Sequence, residues 1–266
     1  MEGIADRLLD GMMNGPLGDS AVSRAERRRL RDTACRAAWM MAEQLKGSSF
    51  SPVELEINFG DEEPCVRLHP KGGESTLAGR IDRIDEWPER GYLRVIDYKR
   101  GGRAMKLNEV YSGLQLQLII YLAAAMKRRG GKCAGVYYFS VADPIFECES
   151  RELSAADDMR RDKLRLSGIF PNDPEILYAM SPEPERVMKV RMTKEGGFYK
   201  GTPVADAEEF DKLIQTTIGY CEKYVSEIRE GNTEIAPVRQ KNRSACDFCE
   251  YRAICATDGS KDRIFD

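Results

Sequence analysis

The sequence predicts an α/β fold, in which strands and helices alternate along a chain of 266 residues. The clearest observation is a hairpin pattern: strand-like segments at 77–86 and 92–99 flank the turn residues Pro88-Glu89-Arg90-Gly91. The apolar segment 113–129 has the length of a buried helix and ends at two glycines. The segment GVYYFSV at 135–141 has the aromatic and β-branched residues of a strand.

The remaining elements follow from periodicity. A basic amphipathic helix is predicted at 23–46, a strand at 53–59 and a charged helix at 153–166. The proline-rich segment 170–202 predicts loops and a peripheral hairpin. The apolar side of the first helix comprises Leu30, Ala34, Ala37, Ala38, Met41 and Leu45.

The last long helix has a recognisable start. Asp206 followed by Glu209 has the pattern of a capping box, and Gly231 marks the end of the helix. Its inner face comprises Phe210, Leu213, Ile214, Thr217, Cys221, Tyr224 and Ile228. We expect an N-terminal helical segment at 1–49, a core at 50–145 and a C-terminal helical extension of the same domain at 146–266.

The hairpin pattern brings two acids together. If the turn is centred between Glu89 and Arg90, Asp82 faces Asp97 across the two strands, and Lys99 shares the face of Asp97. Opposed carboxylates repel each other unless a cation lies between them, and carboxylate oxygens suit Mg²⁺ or Mn²⁺. The alternative is a pair of solvated acids on an exposed sheet. Apolar neighbours on the same face favour a buried site.

Three motifs in order carry a family resemblance. GRIDRID, then IDYK, then QLIIY resemble the PD-(D/E)XK nuclease superfamily, in particular its RecB-like branch. The resemblance implies a restriction-endonuclease-like core, with a central mixed β-sheet flanked by helices. It also implies an active site made of Asp82, Asp97 and Lys99, with Gln117 and Tyr121 as the Gln-x-x-x-Tyr pair of the following helix. The alternative for that pair is a buried polar contact on a core helix.

The resemblance also implies a third acid on the preceding strand. Glu56 matches the family's Glu-x-x-Phe-Gly pattern, while Glu54 has the same strand parity, so both remain open. A metal would then be held by Asp82, Asp97 and Glu56. Lys99 would orient the attacking water, and Gln117 and Tyr121 would contact the DNA backbone or support the site.

The sequence that flanks these motifs, ELEINFG before the hairpin and VYSGLQLQLIIYLAAA after it, resembles the C-terminal nuclease region of the AddB family of helicase-nuclease components. This implies a Mg²⁺-dependent deoxyribonuclease of exonuclease type that acts in DNA double-strand break repair and recombination. The implied partners are DNA, in particular single-stranded ends, and an AddA-like helicase subunit. The alternative is a catalytically silent DNA-binding or scaffold fragment of such a complex.

A second motif, Cys246-x-x-Cys249 followed by Cys255, has metal-ligand spacing. Three thiolates need a fourth ligand to complete a zinc or iron-sulfur site. In AddB-like proteins a distant upstream cysteine joins this triplet to hold a [4Fe-4S] cluster. Cys35 is the only thiol before residue 50 and has the pattern of helix core. We therefore expect a fragment with an incomplete site that holds zinc, a labile cluster or nothing.

Composition, charge and missing motifs exclude several classes of protein. A net charge of −3 and a pI near 5.6 argue against a nonspecific nucleic-acid coat, but leave room for a local basic groove at Lys99, Arg100, Arg103 and Lys106. No phosphate-binding loop is present, and His69 has the context of a loop residue. No export signal or membrane-length apolar run appears, so we expect a cytoplasmic protein. Tyr98 or Tyr111 would be available to stack on bases.

Overall fold

The computed structural model describes residues 2–12, 20–60, 66–101, 104–141, 153–240, 243–255 and 257–265. The helices are α1 (Glu2–Met12), α2 (Ala21–Leu45), α3 (Leu107–Tyr111), α4 (Gln117–Arg129), α5 (Leu153–Leu164), α6 (Pro174–Met180), α7 (Pro184–Val187) and α8 (Ala207–Arg229). The strands are β1 (Ser51–Phe59), β2 (Val66–Leu68), β3 (Ser75–Leu77), β4 (Gly79–Trp87), β5 (Tyr92–Lys99), β6 (Lys132–Ser140), β7 (Ser167–Pro171), β8 (Val204–Ala205), β9 (Val238–Gln240), β10 (Arg243–Ser244) and β11 (Arg263–Phe265).

A six-stranded sheet in the order β1-β4-β5-β6-β7-β8 forms the centre of the fold. The pairs β1–β4, β4–β5 and β6–β7 are antiparallel, whereas β5–β6 and β7–β8 are parallel. Helix α4 provides the crossover that a parallel β5–β6 pair requires. The predicted α/β fold with a central mixed sheet flanked by helices is therefore confirmed.

The hairpin has the predicted register. Ile84 pairs with Val95, and the turn closes with a hydrogen bond of 2.9 Å from the Gly91 amide to the Trp87 carbonyl. Since side chains alternate along a strand, Val95, Asp97 and Lys99 lie on one face of the sheet, the face on which Ile84 is also buried. The local turn chemistry was thus sufficient to predict the register of the hairpin.

Each face of the sheet carries its own core. The front face, which includes Ile84 and Val95, is covered by α3, α4 and α8; its buried residues include Leu118, Ile119, Leu122, Phe210 and Leu213. The back face, which includes Ile96, is covered by α2, α5, α6 and α7; its buried residues include Met40, Phe50, Tyr137, Phe170 and Leu177. Burial of this apolar area is the main stabilising contribution to the fold.

A buried charge cluster crosses the back face of the hairpin. The Asp85 carboxylate accepts hydrogen bonds from Arg83 Nε at 2.6 Å and from Arg94 Nε at 2.9 Å. The three side chains are at most 2% exposed, and the Arg94 guanidinium lies 5.1 Å from the ring centre of Phe50. Burial of one anion between two cations carries a large desolvation cost, because each charge has lost its hydration.

Several predicted boundaries and faces were wrong. Helix α4 begins at Gln117 rather than at 113, because α3 and a turn at Gly113, with a φ of +80°, precede it. On α2, Met40 and Gln44 are buried, whereas Leu30 is 48% exposed, because the first half of the helix lies against α1. The end of α8 leaves the core, so Ile228 is 74% exposed.

The proline-rich segment is more ordered than predicted. It contains the end of β7 together with α6 and α7, and the two prolines Pro174 and Pro184 stand at helix starts, where a missing amide costs nothing. A bridge between Met192 and Phe198 around a glycine turn forms the expected peripheral hairpin. Among the described helices, none is both long and apolar enough to span a membrane.

Candidate active site

The two hairpin strands separate at the predicted acids. The β4–β5 ladder ends at the pair Arg83–Ile96. Beyond it, β4 continues only against β1, as far as Gly79, while β5 continues only against β6, as far as Lys99. Asp82 and Asp97 are the first residues after the separation, so a cleft opens between the strands where the two carboxylates lie.

Asp82 bridges this cleft through its side chain. Its Oδ2 accepts a hydrogen bond from the backbone amide of Tyr98 at 2.6 Å. The carboxylate thereby takes the place of the backbone carbonyl that a continued ladder would have supplied. Asp82 is consequently held in position by the strand that carries Asp97 and Lys99.

A continuous set of polar contacts joins Asp97 to helix α4. Lys99 Nζ lies 2.6 Å from Asp97 Oδ2 and donates to Gln117 Oε1 at 3.0 Å; Gln117 Nε2 donates to the Tyr121 hydroxyl at 2.8 Å. Asp97 is 3% exposed and Lys99 is 24% exposed, so the chain of contacts runs from the protein interior to solvent. Gln117 and Tyr121 are one helical turn apart and therefore share a side of α4.

Tyr121 is held by a close aromatic contact. Its ring meets that of Phe59 edge to face, with centroids 5.9 Å apart. Gly79 makes room for this contact, because a Cβ at that position would lie 2.9 Å from the Phe59 ring and 3.6 Å from the Tyr121 ring. The first residue of the GRID motif is therefore required by packing.

The two candidate third acids have different surroundings. Glu54 lies 3.0 Å from Arg128 Nε and 3.2 Å from Arg129 Nη1, both at the end of α4. Glu56 is level with Asp82, because the neighbouring β1 residues pair on either side of it, and its carboxylate lies 2.5 Å from Arg80. Among the described residues, Glu56 is the one non-glycine with a positive φ, at 52°. Such strained backbone is concentrated at functional sites.

The donor chemistry of the site fits a hard divalent cation. Asp82 and Asp97 offer carboxylate oxygens where the two strands separate, and Mg²⁺ is usually bound by one or two carboxylates together with water and substrate phosphate. Within the described part of the chain, no three acidic, histidine or cysteine side chains already converge as a complete metal cage. The two aspartates are thus oxygen donors of the kind that such a cation takes.

Gln115 was not among the predicted site residues. This side chain is 7% exposed; its Oε1 accepts from the Lys106 amide at 3.2 Å, and its Nε2 donates to the Ala104 carbonyl at 3.2 Å and to Glu109 Oε2 at 2.6 Å. It thus fixes the return of the chain from the end of β5 to α3. The signal in the sequence is a second glutamine in LQLQL, which alone does not show what it contacts.

Tyr98 lies on the back face rather than at the cleft. Its ring meets that of Phe139 edge to face at 5.9 Å. Burial raises the pKa of its hydroxyl, and the neighbouring Arg83 cation offsets part of that rise. Base stacking by Tyr98, one of the two possibilities considered from the sequence, is therefore wrong.

Of the predicted basic groove, Arg103 lies outside the described residues.

The cysteine triplet lies in a small C-terminal unit formed by β9, β10 and β11. Cys246, Cys249 and Cys255 line one cavity of about 310 Å³. Asp262 lines the same cavity, where Arg239 Nη2 lies 2.5 Å from its carboxylate. Cys35 does not line the cavity; it lies on α2, on the back face.

His69 is a solvent-exposed residue whose amide donates to Glu222 Oε1 at 2.7 Å.

Comparison with known proteins assigns the family. Several bacterial proteins that are named as a subunit of an ATP-dependent helicase/deoxyribonuclease are similar to this chain. That of Ruminiclostridium cellulolyticum is 34% identical over 97% of this chain and 24% of its own length. That of Moorella thermoacetica is 33% identical over 96% of this chain and 24% of its own length. That of Clostridioides difficile is 33% identical over 87% of this chain and 22% of its own length. The chain thus spans about a quarter of the length of these relatives.

The sequence model of the PD-(D/E)XK nuclease superfamily matches residues 2–256, a range that contains the hairpin, the glutamine-tyrosine helix and the cysteine triplet. A match across nearly the whole chain agrees with the mixed sheet and with the position of the paired acids, and the chain belongs to the PD-(D/E)XK nuclease superfamily.

Proposed function

We propose that the chain is a metal-dependent deoxyribonuclease that hydrolyses phosphodiester bonds from DNA ends. One observation carries this proposal: the strands of the hairpin separate where Asp82 and Asp97 lie, and Lys99 contacts Asp97 at 2.6 Å on the same face. Phosphodiester hydrolysis requires a positioned water and a means of offsetting charge that develops on the phosphate. Acids and a lysine at one cleft supply the residue types for both tasks.

The two aspartates would hold Mg²⁺ or Mn²⁺, which when bound supplies Lewis-acid polarisation of the phosphate and a more acidic water. Asp97 is nearly fully buried and Asp82 is fixed by the Tyr98 amide, so neither carboxylate needs to reorganise widely before binding. This preorganisation is what makes electrostatic stabilisation effective.

Lys99 orients the attacking water and offsets phosphate charge. Its ammonium is held by Asp97 Oδ2 and Gln117 Oε1, and it lies 5.7 Å from the ring centre of Tyr138. Gln117 is in turn held by the Tyr121 hydroxyl. The glutamine-tyrosine pair therefore acts on the reaction through the position of Lys99.

Glu56 is the better candidate for the third acid. Its position level with Asp82 and its strained backbone support this choice, whereas both oxygens of Glu54 contact arginines of α4. The Arg80 contact with Glu56 is solvent-exposed, with side chains 60% and 49% exposed, and exposed pairs are weak. Glu56 is thus available to turn towards a cation.

The names of the relatives suggest the larger setting. Each is named as part of a helicase/deoxyribonuclease, which supports a DNA substrate and a helicase partner. We further propose, from the motif resemblance, that the substrate is single-stranded ends, that the helicase is AddA-like, and that the setting is break repair and recombination in the cytoplasm. The cavity lined by Cys246, Cys249 and Cys255 is the place where a [4Fe-4S] cluster or zinc would bind.

The proposal is tested by digestion of end-labelled single-stranded DNA in Mg²⁺, in Mn²⁺ and in excess chelator. We expect cleavage in both metals, no cleavage in chelator, and strongly reduced cleavage by Lys99→Met. Lys127→Met, at an exposed lysine near the end of α4, is the matched control and should cleave normally. Binding of DNA without cleavage in either metal would contradict the proposal and favour a scaffold role.

A further inference from the structure

Helix α3 and the turn after it present two large side chains to solvent, a tyrosine and a leucine. Tyr111 is 44% exposed and Leu114, in the turn that follows, is 43% exposed. The chain leaves the sheet after Lys99 and enters α4 at Gln117, and the side chains of these two residues are hydrogen-bonded at 3.0 Å. Leu114 precedes Gln117 by three residues, so the turn that carries it lies near the Lys99–Gln117 contact.

The backbone under these two side chains is firmly held. The Tyr220 hydroxyl donates to the Tyr111 carbonyl at 2.6 Å, and Gln240 Nε2 donates to the Ser112 hydroxyl at 2.7 Å. Gly113 packs so closely on α8 that a Cβ in its place would lie 2.5 Å from the Tyr224 hydroxyl. A surface that is rigid before binding loses little entropy when a ligand contacts it.

Charge around α3 indicates what the ligand is. Arg100 is exposed just after β5, Lys106 directly precedes α3 and pairs with Glu109 at 3.1 Å, and Lys99 pairs with Asp97 at the cleft. Apolar and aromatic side chains next to cations are the combination that binds single-stranded nucleic acid, because the cations follow the phosphates and the aromatic rings stack on bases. A duplex hides its base faces in the stack and offers nothing to such a surface.

We propose that Tyr111 and Leu114 form a base platform, which contacts unpaired bases of the strand whose phosphate lies at Asp82, Asp97 and Lys99. This inference rests on the proposed nuclease function and adds the origin of its substrate preference. The platform favours single strands over duplexes, because only unpaired bases can lie flat on it.

The test uses the wild-type chain, Tyr111→Ala, Tyr111→Phe and the control Tyr178→Ala. Tyr178 is 52% exposed on α6, which covers the other face of the sheet. Each protein is given two end-labelled single strands in Mg²⁺, one of normal nucleotides and one of abasic sugars of equal length. Both strands carry the same phosphates, so the difference between them reports on base contacts alone.

We expect Tyr111→Ala to lose roughly tenfold in kcat/KM on the normal strand, mainly through KM, and to lose little on the abasic strand. Tyr111→Phe keeps the ring and should retain wild-type behaviour, as should Tyr178→Ala. Leu114→Ser provides a second variant with the same expected pattern in case Tyr111→Ala is poorly folded by circular dichroism.

Two results would overturn the inference, and they are distinguishable. If the wild type cleaves normal and abasic strands equally well, or if Tyr111→Ala and Leu114→Ser keep the wild-type preference for bases, the platform is wrong while the nuclease proposal stands. If the wild type cleaves neither strand in either metal, the nuclease proposal itself fails, and the platform fails with it.

Discussion

The backbone amide of Tyr98 donates a hydrogen bond of 2.6 Å to Oδ2 of Asp82, just beyond the last ladder pair of the hairpin. This contact has two consequences. It ties Asp82, on β4, to β5, the strand that carries Asp97. It also orients Tyr98, whose ring packs on Phe139 on the back face of the sheet. The site on the front face is thus built on contacts that continue to the back face.

The buried charge cluster behind the hairpin should be essential for stability. Asp85→Asn leaves the guanidinium groups of Arg83 and Arg94 without a counter-charge at sites at most 2% exposed. Loss of one partner from a buried ion pair costs about 3–5 kcal/mol. Urea unfolding should show this loss, whereas Asp158→Asn, at a 72% exposed carboxylate, should change stability by less than about 0.5 kcal/mol. A loss below about 1 kcal/mol in Asp85→Asn would contradict this account of the cluster.

Gln117 should affect the rate through Lys99. In Gln117→Ala the ammonium loses its acceptor at 3.0 Å, and displacement of a reacting group by about 1 Å can cost on the order of 100-fold in rate. We expect kcat to fall roughly 10- to 100-fold with little change in KM. Tyr121→Phe removes only the hydroxyl and should give a smaller decrease in kcat. Gln215→Ala, at an exposed position of α8, is the control; a rise in KM alone would instead indicate direct substrate binding by Gln117.

The Cys133 thiol should stay protonated in the folded protein at ordinary pH. Burial raises its pKa from 9.0 to about 12, although the residue keeps partial exposure at the edge of a cavity. Because the folded pKa is above the unfolded one, the protonated thiol contributes stability fully below about pH 9, and this contribution is lost as the pH rises towards 12.

Two measurements check this. Iodoacetamide at about pH 8 should label the exposed Cys249 well before Cys133, as followed by mass spectrometry. The decline of unfolding free energy above pH 9 should be less steep in Cys133→Ala than in the wild type. Equal labelling rates of the two thiols would show that Cys133 is not shielded as described.

The cysteine triplet should hold iron poorly. Among the described cysteines, three line its cavity and none supplies a fourth thiol, since Cys35 lies on the other side of the sheet; Asp262 contacts Arg239. A [4Fe-4S] cluster needs four protein ligands, and an open position exposes it to oxidant. We expect protein purified in air to be colourless, with well under one iron per chain. Brown protein with about four irons per chain would contradict this expectation.

Local chemistry explains what was predictable from the sequence. The turn before Gly91 set the hairpin register, and the capping box at Asp206 set the start of α8, where both reciprocal hydrogen bonds are present. Motif spacing led to Lys99 and Gln117, which contact each other in the structure. Each of these signals lies within a short stretch of chain.

The unpredicted features depend on contacts between distant segments. The separation of β4 from β5 arises because each strand pairs with a different neighbour beyond Arg83 and Ile96. The exposure of Leu30 depends on where α1 lies against α2. Burial of Gln115 depends on how the loop from 104 to 109 folds around it. Periodicity along one segment carries no information on these arrangements.

The most direct test of the central claim compares the wild type with Asp97→Ala on end-labelled single-stranded DNA in Mg²⁺, with Asp158→Ala as the control. Loss of a metal-binding carboxylate removes several kcal/mol of transition-state stabilisation, so we expect the cleavage rate of Asp97→Ala to fall at least roughly 100-fold while the control is unchanged. A cleavage rate in Asp97→Ala within a few-fold of the wild type, or undiminished cutting by the wild type in excess chelator, would contradict the assignment of the active site.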